Sequence, residues 1–168
     1  NARITSLGIA GVTPEQLGVW SYPKAEDNSN VVSLNMINAM LGRIILSGQL
    51  ADLSPENFEL VREAVSVYKK FRGEIPSSLP WWPLGVPKHG DDLFSAGLMS
   101  ANFALLAVWN LGKEAKCVEI PVPGNSFKNI ELTYPDMPSS ALVRKDKSVL
   151  LQIPPGPQAI LIRFSKGK

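Results

Sequence analysis

The sequence is poor in the residues that build disulfide frameworks, metal sites and charged binding surfaces. Its 168 residues include one cysteine, Cys117, and one histidine, His89. A single cysteine excludes an internal disulfide. His89 stands beside Asp91 and Asp92 in a turn-like segment without a second ligand cluster, which indicates a solvated turn and no metal site. The formal net charge of +2 is too small to favour nucleic acid as a partner.

Long apolar stretches are also absent. No run approaches the roughly 20 residues that a membrane span requires, so a membrane is not an expected partner. The sequence contains neither a glycine-rich phosphate-binding loop nor a Cys-x-x-Cys pair, and no cofactor is expected. Apolar residues make up 45% and charged residues 19% of the chain, a balance typical of a globular protein.

Proline is abundant, and its distribution divides the chain. Most of the 14 prolines fall in or after residues 73–87, where helical patterns give way to short alternating apolar runs. This change predicts two domains, residues 1–76 and residues 77–168.

The first part carries two helix patterns and two strand patterns. Ser54 and Pro55 suit the cap and first turn of a helix over 54–72, which Gly73 ends. A second helix is predicted over Val31–Leu41, capped by Asn30. The apolar run within Arg43–Ser47 indicates a buried strand, and Ile4–Ile9 is a second possible strand.

The order strand, loop, helix, strand, helix is the repeating unit of a parallel α/β sheet or barrel. It predicts that Ile4–Ile9 and Arg43–Ser47 are parallel neighbours, joined by the helix between them. An alternative stays open, because residues 31–46 also fit one long apolar helix.

The second part predicts an antiparallel β-sandwich, because about eight short strands follow one another at close spacing. Pro154-Pro155-Gly156-Pro157 is predicted to close a hairpin between the last two. The predicted strands are Trp81–Leu84, Leu93–Met99, Phe103–Leu111, Cys117–Val122, Asn129–Tyr134, Ala141–Arg144, Ser148–Ile153 and Gln158–Ser165.

Three sequence blocks, taken in order, resemble a known family. They are Pro14-Glu15-Gln16-Leu17-Gly18-Val19-Trp20-Ser21-Tyr22-Pro23, then Asn38-Ala39-Met40-Leu41-Gly42-Arg43-Ile44-Ile45-Leu46-Ser47-Gly48, then Tyr68-Lys69-Lys70-Phe71-Arg72 followed by Trp82-Pro83-Leu84-Gly85. Their order and spacing are similar to the C-terminal third of α-galactosidases of glycoside hydrolase family 36. The resemblance implies an α/β plus all-β fold: the last two β/α units of a (β/α)8 barrel, followed by a C-terminal antiparallel β domain.

The resemblance also implies an activity, the retaining hydrolysis of terminal α-galactosides by two aspartates. Both aspartates of the family lie on earlier strands, so no residue of this chain is expected to be catalytic. The chain alone is therefore expected to be inactive. The implied partners of the parent enzyme are galactose-containing oligosaccharides, and homo-oligomer formation is left open.

The same mapping suggests which residues bind substrate. Barrel chemistry occurs at the carboxyl ends of the strands, so the loop after Ile4–Ile9 and the turn after Arg43–Ser47 are expected to face the sugar. Each candidate also has a purely structural explanation, since the side chains can shape a loop or pack beneath it and a glycine can serve a tight turn. The candidate substrate-binding residues are Glu15, Gln16, Trp20, Ser47 and Gly48, with Tyr22 as a possible stacking partner of Trp20.

A second function class is a non-catalytic carbohydrate-binding or structural β-sandwich module. Trp81 and Trp82 would be its binding platform, because adjacent surface tryptophans can stack on sugars. Such residues more often join a sandwich to its neighbour.

Overall fold

The structure is a computed structural model that describes residues 1–122 and 127–166. Residues 123–126 and 167–168, which fall within the predicted second domain, lie outside the described residues. The helices are α1 (Ala2–Gly11), α2 (Ser29–Met40) and α3 (Pro55–Phe71). The strands are β1 (Gly18–Ser21), β2 (Arg43–Leu46), β3 (Leu79–Trp81), β4 (Leu93–Met99), β5 (Ala104–Asn110), β6 (Lys116–Pro121), β7 (Phe127–Tyr134), β8 (Leu142–Arg144), β9 (Ser148–Ile153) and β10 (Gln158–Lys166).

The chain begins with a helix, so the predicted strand over Ile4–Ile9 is wrong. Ala2, Thr5 and Ile9 recur at helical spacing and are buried. The strand prediction counted Ile4 as a buried apolar residue, yet Ile4 is 74% exposed. Because several buried positions of α1 are small or polar, hydrophobicity alone did not reveal the helical period.

The first strand lies instead inside the predicted loop. Val19 and Ser21 are buried while Gly18 and Trp20 are exposed, which is the alternation of a half-buried strand. β1 pairs in parallel with β2 from Gly18↔Arg43 to Ser21↔Leu46, and α2 connects the two strands. The predicted parallel unit is therefore present, with β1 in place of the segment Ile4–Ile9.

The two longer helices fall close to their predicted positions. Asn28, and not Asn30, caps α2, because its side chain accepts a hydrogen bond from Val31 N at 3.1 Å. α2 ends at Met40 before β2 begins, which excludes the single long helix. Ser54 caps α3 as predicted. Among the described helices, none combines the length and apolar character needed to cross a bilayer.

The second part contains two antiparallel sheets, which confirms the predicted antiparallel β region. One sheet has five strands in the order β3-β4-β5-β10-β7, and the other has three in the order β6-β9-β8. Apolar side chains from both sheets form a single cluster, with Leu106 and Ile162 from the larger sheet and Leu151 from the smaller. No closed barrel is present in residues 1–122 and 127–166.

Two details of the strand prediction are wrong. β3 ends at Trp81, where the predicted strand over Trp81–Leu84 begins. β9 and β10 belong to different sheets, so the proline-rich segment between them closes no hairpin. The chain passes from one sheet to the other through this segment. The side-chain amide of Asn110 donates to Pro154 O at 2.7 Å and so holds the segment at the end of β5.

The five-stranded sheet is buried on both faces. Its second face shares a core with the helices, in which Met36 and Phe71 meet Leu161. Buried polar contacts tie the layers together. The indole of Trp109 donates to Asn38 Oδ1 at 2.9 Å, and the Tyr134 hydroxyl donates to the carbonyl of Leu60 at 2.9 Å.

Candidate functional site

The carboxyl ends of β1 and β2 lie side by side because the two strands are parallel. The pairing continues past both strands: Ser47 N donates to Ser21 O at 2.9 Å and Gln49 N donates to Pro23 O at 2.9 Å. The carboxyl end of a parallel strand is where barrel and open α/β enzymes place ligand-binding residues. We therefore take this edge as the candidate site.

Two aromatic side chains stack on the exposed face of β1. The rings of Trp20 and Tyr22 are 5.8 Å apart between centroids with an interplanar angle of 15°, and the side chains are 51% and 46% exposed. The indole N–H groups of the other three tryptophans donate to protein acceptors, whereas that of Trp20 has no acceptor within the described residues. A flat ring with a free donor beside it can bind the C–H face and a hydroxyl of a sugar.

Ser47 and Gly48 lie where β2 leaves the sheet. Strand alternation places Ser47 on the same face as Ile45, which pairs with Trp20. Ser47 is thus directed toward the face that carries the aromatic pair. A Cβ on Gly48 would overlap the carbonyl of Pro23, so this glycine permits the two strand exits to approach each other.

Glu15 and Gln16 lie at the opposite end of β1. They belong to the short 3₁₀ turn Pro14–Gln16 that precedes the strand. The strand separates them by about 10 Å from the aromatic edge, the carboxyl end of β1 where Trp20 and Tyr22 lie. Their expected place at the rim depended on the strand Ile4–Ile9, which is a helix. Their role as sugar ligands stays a prediction without that geometric support.

Two polar residues of this edge were not anticipated from the sequence. Asn35 Nδ2 donates to Tyr22 O at 3.5 Å, and Gln49 Oε1 accepts from Ala25 N at 3.4 Å. Gln49 follows Gly48 directly, so its nearness to a strand end was a usable signal. Asn35 faces the site from α2, and only the tertiary structure reveals this.

Trp81 and Trp82 pack against other parts of the protein. Trp81 and Trp82 are both half-buried. The Trp82 indole donates to Ser6 O at 2.7 Å and so joins the β region to α1. Trp81 donates to Leu105 O at 3.3 Å. Both contacts agree with the packing role weighed for this pair. Across the described ranges, no group of three or more His, Cys, Asp or Glu residues is placed to hold a metal ion.

Within the described residues, the face of β1 and β2 that carries Trp20 is open to solvent, since Gly18 and Trp20 are exposed. α2 packs on the other face, where Ser21 Oγ contacts Met36 Sδ at 3.3 Å. Ile4 and Leu7 of α1 add exposed apolar surface, and Ile4 lines a shallow groove together with Trp20. Parallel sheets are normally covered on both faces, so this pair differs from the usual arrangement within the described residues.

No family model and no curated protein sequence matches the chain, but solved structures do. A family 36 α-galactosidase from Geobacillus stearothermophilus, in complex with raffinose, matches with a TM-score of 0.69 and 17% identity over 92% of this chain and 22% of that one. The α-galactosidase from Lactobacillus brevis matches with a TM-score of 0.63 and 15% identity, over 88% and 22% of the two chains. This chain has the fold of the C-terminal part of family 36 α-galactosidases.

The chain spans about one fifth of the length of these family 36 enzymes. An α-amylase from Anoxybacillus also matches, with a TM-score of 0.62 and 10% identity over 92% of this chain and 39% of that one. The mixed helical and antiparallel-sheet architecture expected from the three sequence blocks is thus confirmed, whereas the barrel units stay a prediction. Because hydrolases with different names share it, the fold by itself does not identify the sugar.

Proposed function

We propose that this chain is the C-terminal part of a retaining α-galactosidase, and that the longer protein hydrolyses terminal α-galactosides. The observation that carries the proposal is the uncovered parallel pair β1–β2, joined to two antiparallel sheets. Parallel sheets are usually covered on both faces and large exposed apolar patches usually mark interaction surfaces. The similarity over 92% of this chain to the family 36 enzyme from G. stearothermophilus indicates what would complete it.

In this proposal, β1 and β2 are the seventh and eighth strands of a (β/α)8 barrel. The parallel register and the position of α2 on one face of the pair support this mapping. The bare face with Trp20 and Ile45 would then be directed into the barrel. α1, α2 and α3 would belong to the outer ring of helices.

The sugar would bind at the carboxyl ends of these strands, with Trp20, Ser47 and Gly48 as contacts from this chain. Neighbouring structures of the family contain raffinose and stachyose, which supports galactose-containing oligosaccharides as the substrate class. Two catalytic carboxyl groups about 5–5.5 Å apart would be supplied by the rest of the longer protein. Homo-oligomer formation stays a prediction.

The test compares two proteins on a chromogenic α-galactoside: this chain, and the protein encoded when upstream sequence is included. We expect turnover only from the longer protein. In it, Trp20→Ala should lower kcat/KM by about 10–100-fold, because one stacking contact and one donor are lost. Leu79→Ala is the control, since Leu79 is an exposed apolar side chain on β3.

Two outcomes would contradict the proposal. Stoichiometric turnover by the isolated chain would mean that the catalytic groups lie within it. Hydrolysis of α-glucans but not α-galactosides by the longer protein would mean that the fold is shared while the substrate class is different.

A further inference from the structure

A second cleft lies at the amino end of β2, away from the aromatic edge. Its volume is about 460 Å³, which is enough for a small metabolite. It is lined by Arg43, Arg72, Tyr68, Glu15 and Ile75, together with Gly42 and Gly73. Two arginines therefore border one open cleft.

Arg43 and Arg72 make fewer hydrogen bonds and ion pairs than the other arginines. Of the six arginines in the sequence, four have well-occupied guanidinium groups. Arg3 binds Asp91 O and Asp92, Arg62 binds Glu59, Arg144 binds four backbone carbonyls, and Arg163 binds Glu74 and Glu131. In the part of the chain that the structure describes, the Arg43 guanidinium makes one hydrogen bond, from Nη2 to Glu15 O at 3.2 Å. Within the described residues, Arg72 makes none.

Tyr68 lines the same cleft as the two arginines. Its hydroxyl donates to Gly42 O at 2.9 Å. Burial raises the pKa of this phenol, while the charges of Arg72 and Arg43 act in the opposite direction. Both cations thus act on the same phenol oxygen.

Part of this charge has a structural explanation. α2 ends at Met40 and α3 at Phe71, and cations near helix C-termini are favourable. A dipole contribution does not require both guanidinium groups to border one cleft, nor does it use their forked donor geometry. That geometry fits the paired oxygens of a phosphate or carboxylate.

We propose that this cleft binds a small molecule through an oxyanion group, phosphate or carboxylate, which Arg43 and Arg72 hold between them. Glu15 also lines the cleft, and its negative charge disfavours a densely charged polyanion, so a ligand with one anionic group on a neutral body fits best. The inference uses no feature of the aromatic edge and does not depend on the proposed function.

The test measures thermal unfolding of the chain against the concentration of sodium phosphate, sodium acetate or sodium chloride at matched ionic strength. We expect phosphate or acetate to raise Tm beyond chloride, since a ligand that binds the folded state stabilises it. The stronger of the two identifies the anionic group. In ¹⁵N-labelled protein, the amide signals of Gly42 and Gly73 should shift during the same titration.

Arg72→Gln and Arg43→Gln should each weaken the response at least about tenfold, because each removes a charge-assisted hydrogen-bonding group. Arg72→Lys keeps the positive charge but loses the forked donor geometry of the guanidinium. Its response to the anion should lie between that of the glutamine variants and that of the unchanged protein. Arg62→Gln is the matched control: it removes one charge from α3, the helix that ends just before Arg72, outside the cleft, and should leave the response unchanged.

The proposal is overturned if neither anion exceeds chloride, or if Arg62→Gln weakens the response as much as Arg72→Gln, which would indicate net charge alone. If a glutamine variant fails to fold, the amide shifts of the unchanged protein still decide. Shifts spread over the whole surface, with none at Gly42 and Gly73, would also overturn it.

Discussion

At the scale of single residues, Gly48 is best explained by the contact it permits. Its backbone lies so close to Pro23 that a Cβ would overlap the proline carbonyl. We expect Gly48→Ala to lower the free energy of unfolding by about 1–3 kcal/mol, the usual cost of overpacking. Urea denaturation measures this change.

Gly11→Ala is the control for that experiment, because a Cβ at Gly11 meets nothing within 4 Å. It should leave stability unchanged or raise it by up to about 1 kcal/mol through the unfolded state. Equal stability of the Gly48 and Gly11 variants would mean that the two strand exits are looser than the structure indicates.

The candidate site was only partly predictable from the sequence. Ser47 and Gly48 were placed correctly at a strand end, because three consecutive large apolar residues define β2 well. Glu15 and Gln16 were expected in a loop that follows a strand, whereas they lie in a short turn that precedes β1, because β1, four residues long, was not predicted. So short a strand carries too little alternation to stand out from a loop.

At the scale of elements, the start of α2 shows what a sequence leaves undecided. Asn28, Ser29 and Asn30 are all good capping residues. The choice among them is made by α3, where Asn57 Nδ2 donates to Asp27 O at 2.8 Å and Ser29 Oγ donates to Asn57 Oδ1 at 3.1 Å. These contacts fix where the chain enters the helix, and no local pattern contains them.

The cap gives a prediction with a matched pair of variants. Asn28→Ala should lower the free energy of unfolding by about 1 kcal/mol, because Val31 N loses its acceptor. Asn30→Ala changes the same residue type two positions later, where the side chain is exposed, and should cost less than about 0.5 kcal/mol. If Asn30→Ala proved the costlier change in thermal unfolding, the cap would belong where the sequence placed it.

At the scale of the whole molecule, the five-stranded sheet is the central layer. One face packs on the helices and the other on the three-stranded sheet. Arg163 on β10 reinforces this contact: it binds Glu74 at 2.8 Å and Glu131 at 3.3 Å, and its guanidinium lies over the Phe103 ring. The mostly buried arginine links the end of the helical region to the sheet.

The distribution of prolines predicted where helices give way to strands, but it could not predict the core that the helices share with the five-stranded sheet. The prolines after residue 73 mark where helices give way to strands, and β3 begins at Leu79. Which surfaces face one another depends on tertiary packing. Leu161 and Ile162 are adjacent in sequence and both fully buried, yet they belong to different clusters. The division into residues 1–76 and 77–168 stays a prediction about domain organisation.

The shared core predicts that both regions unfold in one cooperative transition. Ile37 on α2 and Ile162 on β10 are both fully buried, the first in the helix–sheet core and the second between the two sheets. Ile37→Val and Ile162→Val should each lower the free energy of unfolding by about 0.5–1.5 kcal/mol. Each should shift the same single transition in urea, followed by circular dichroism and tryptophan fluorescence. If Ile37→Val instead separated an early loss of helix from a later, unshifted loss of the β signal, the helical region would unfold on its own and the two cores would be energetically independent.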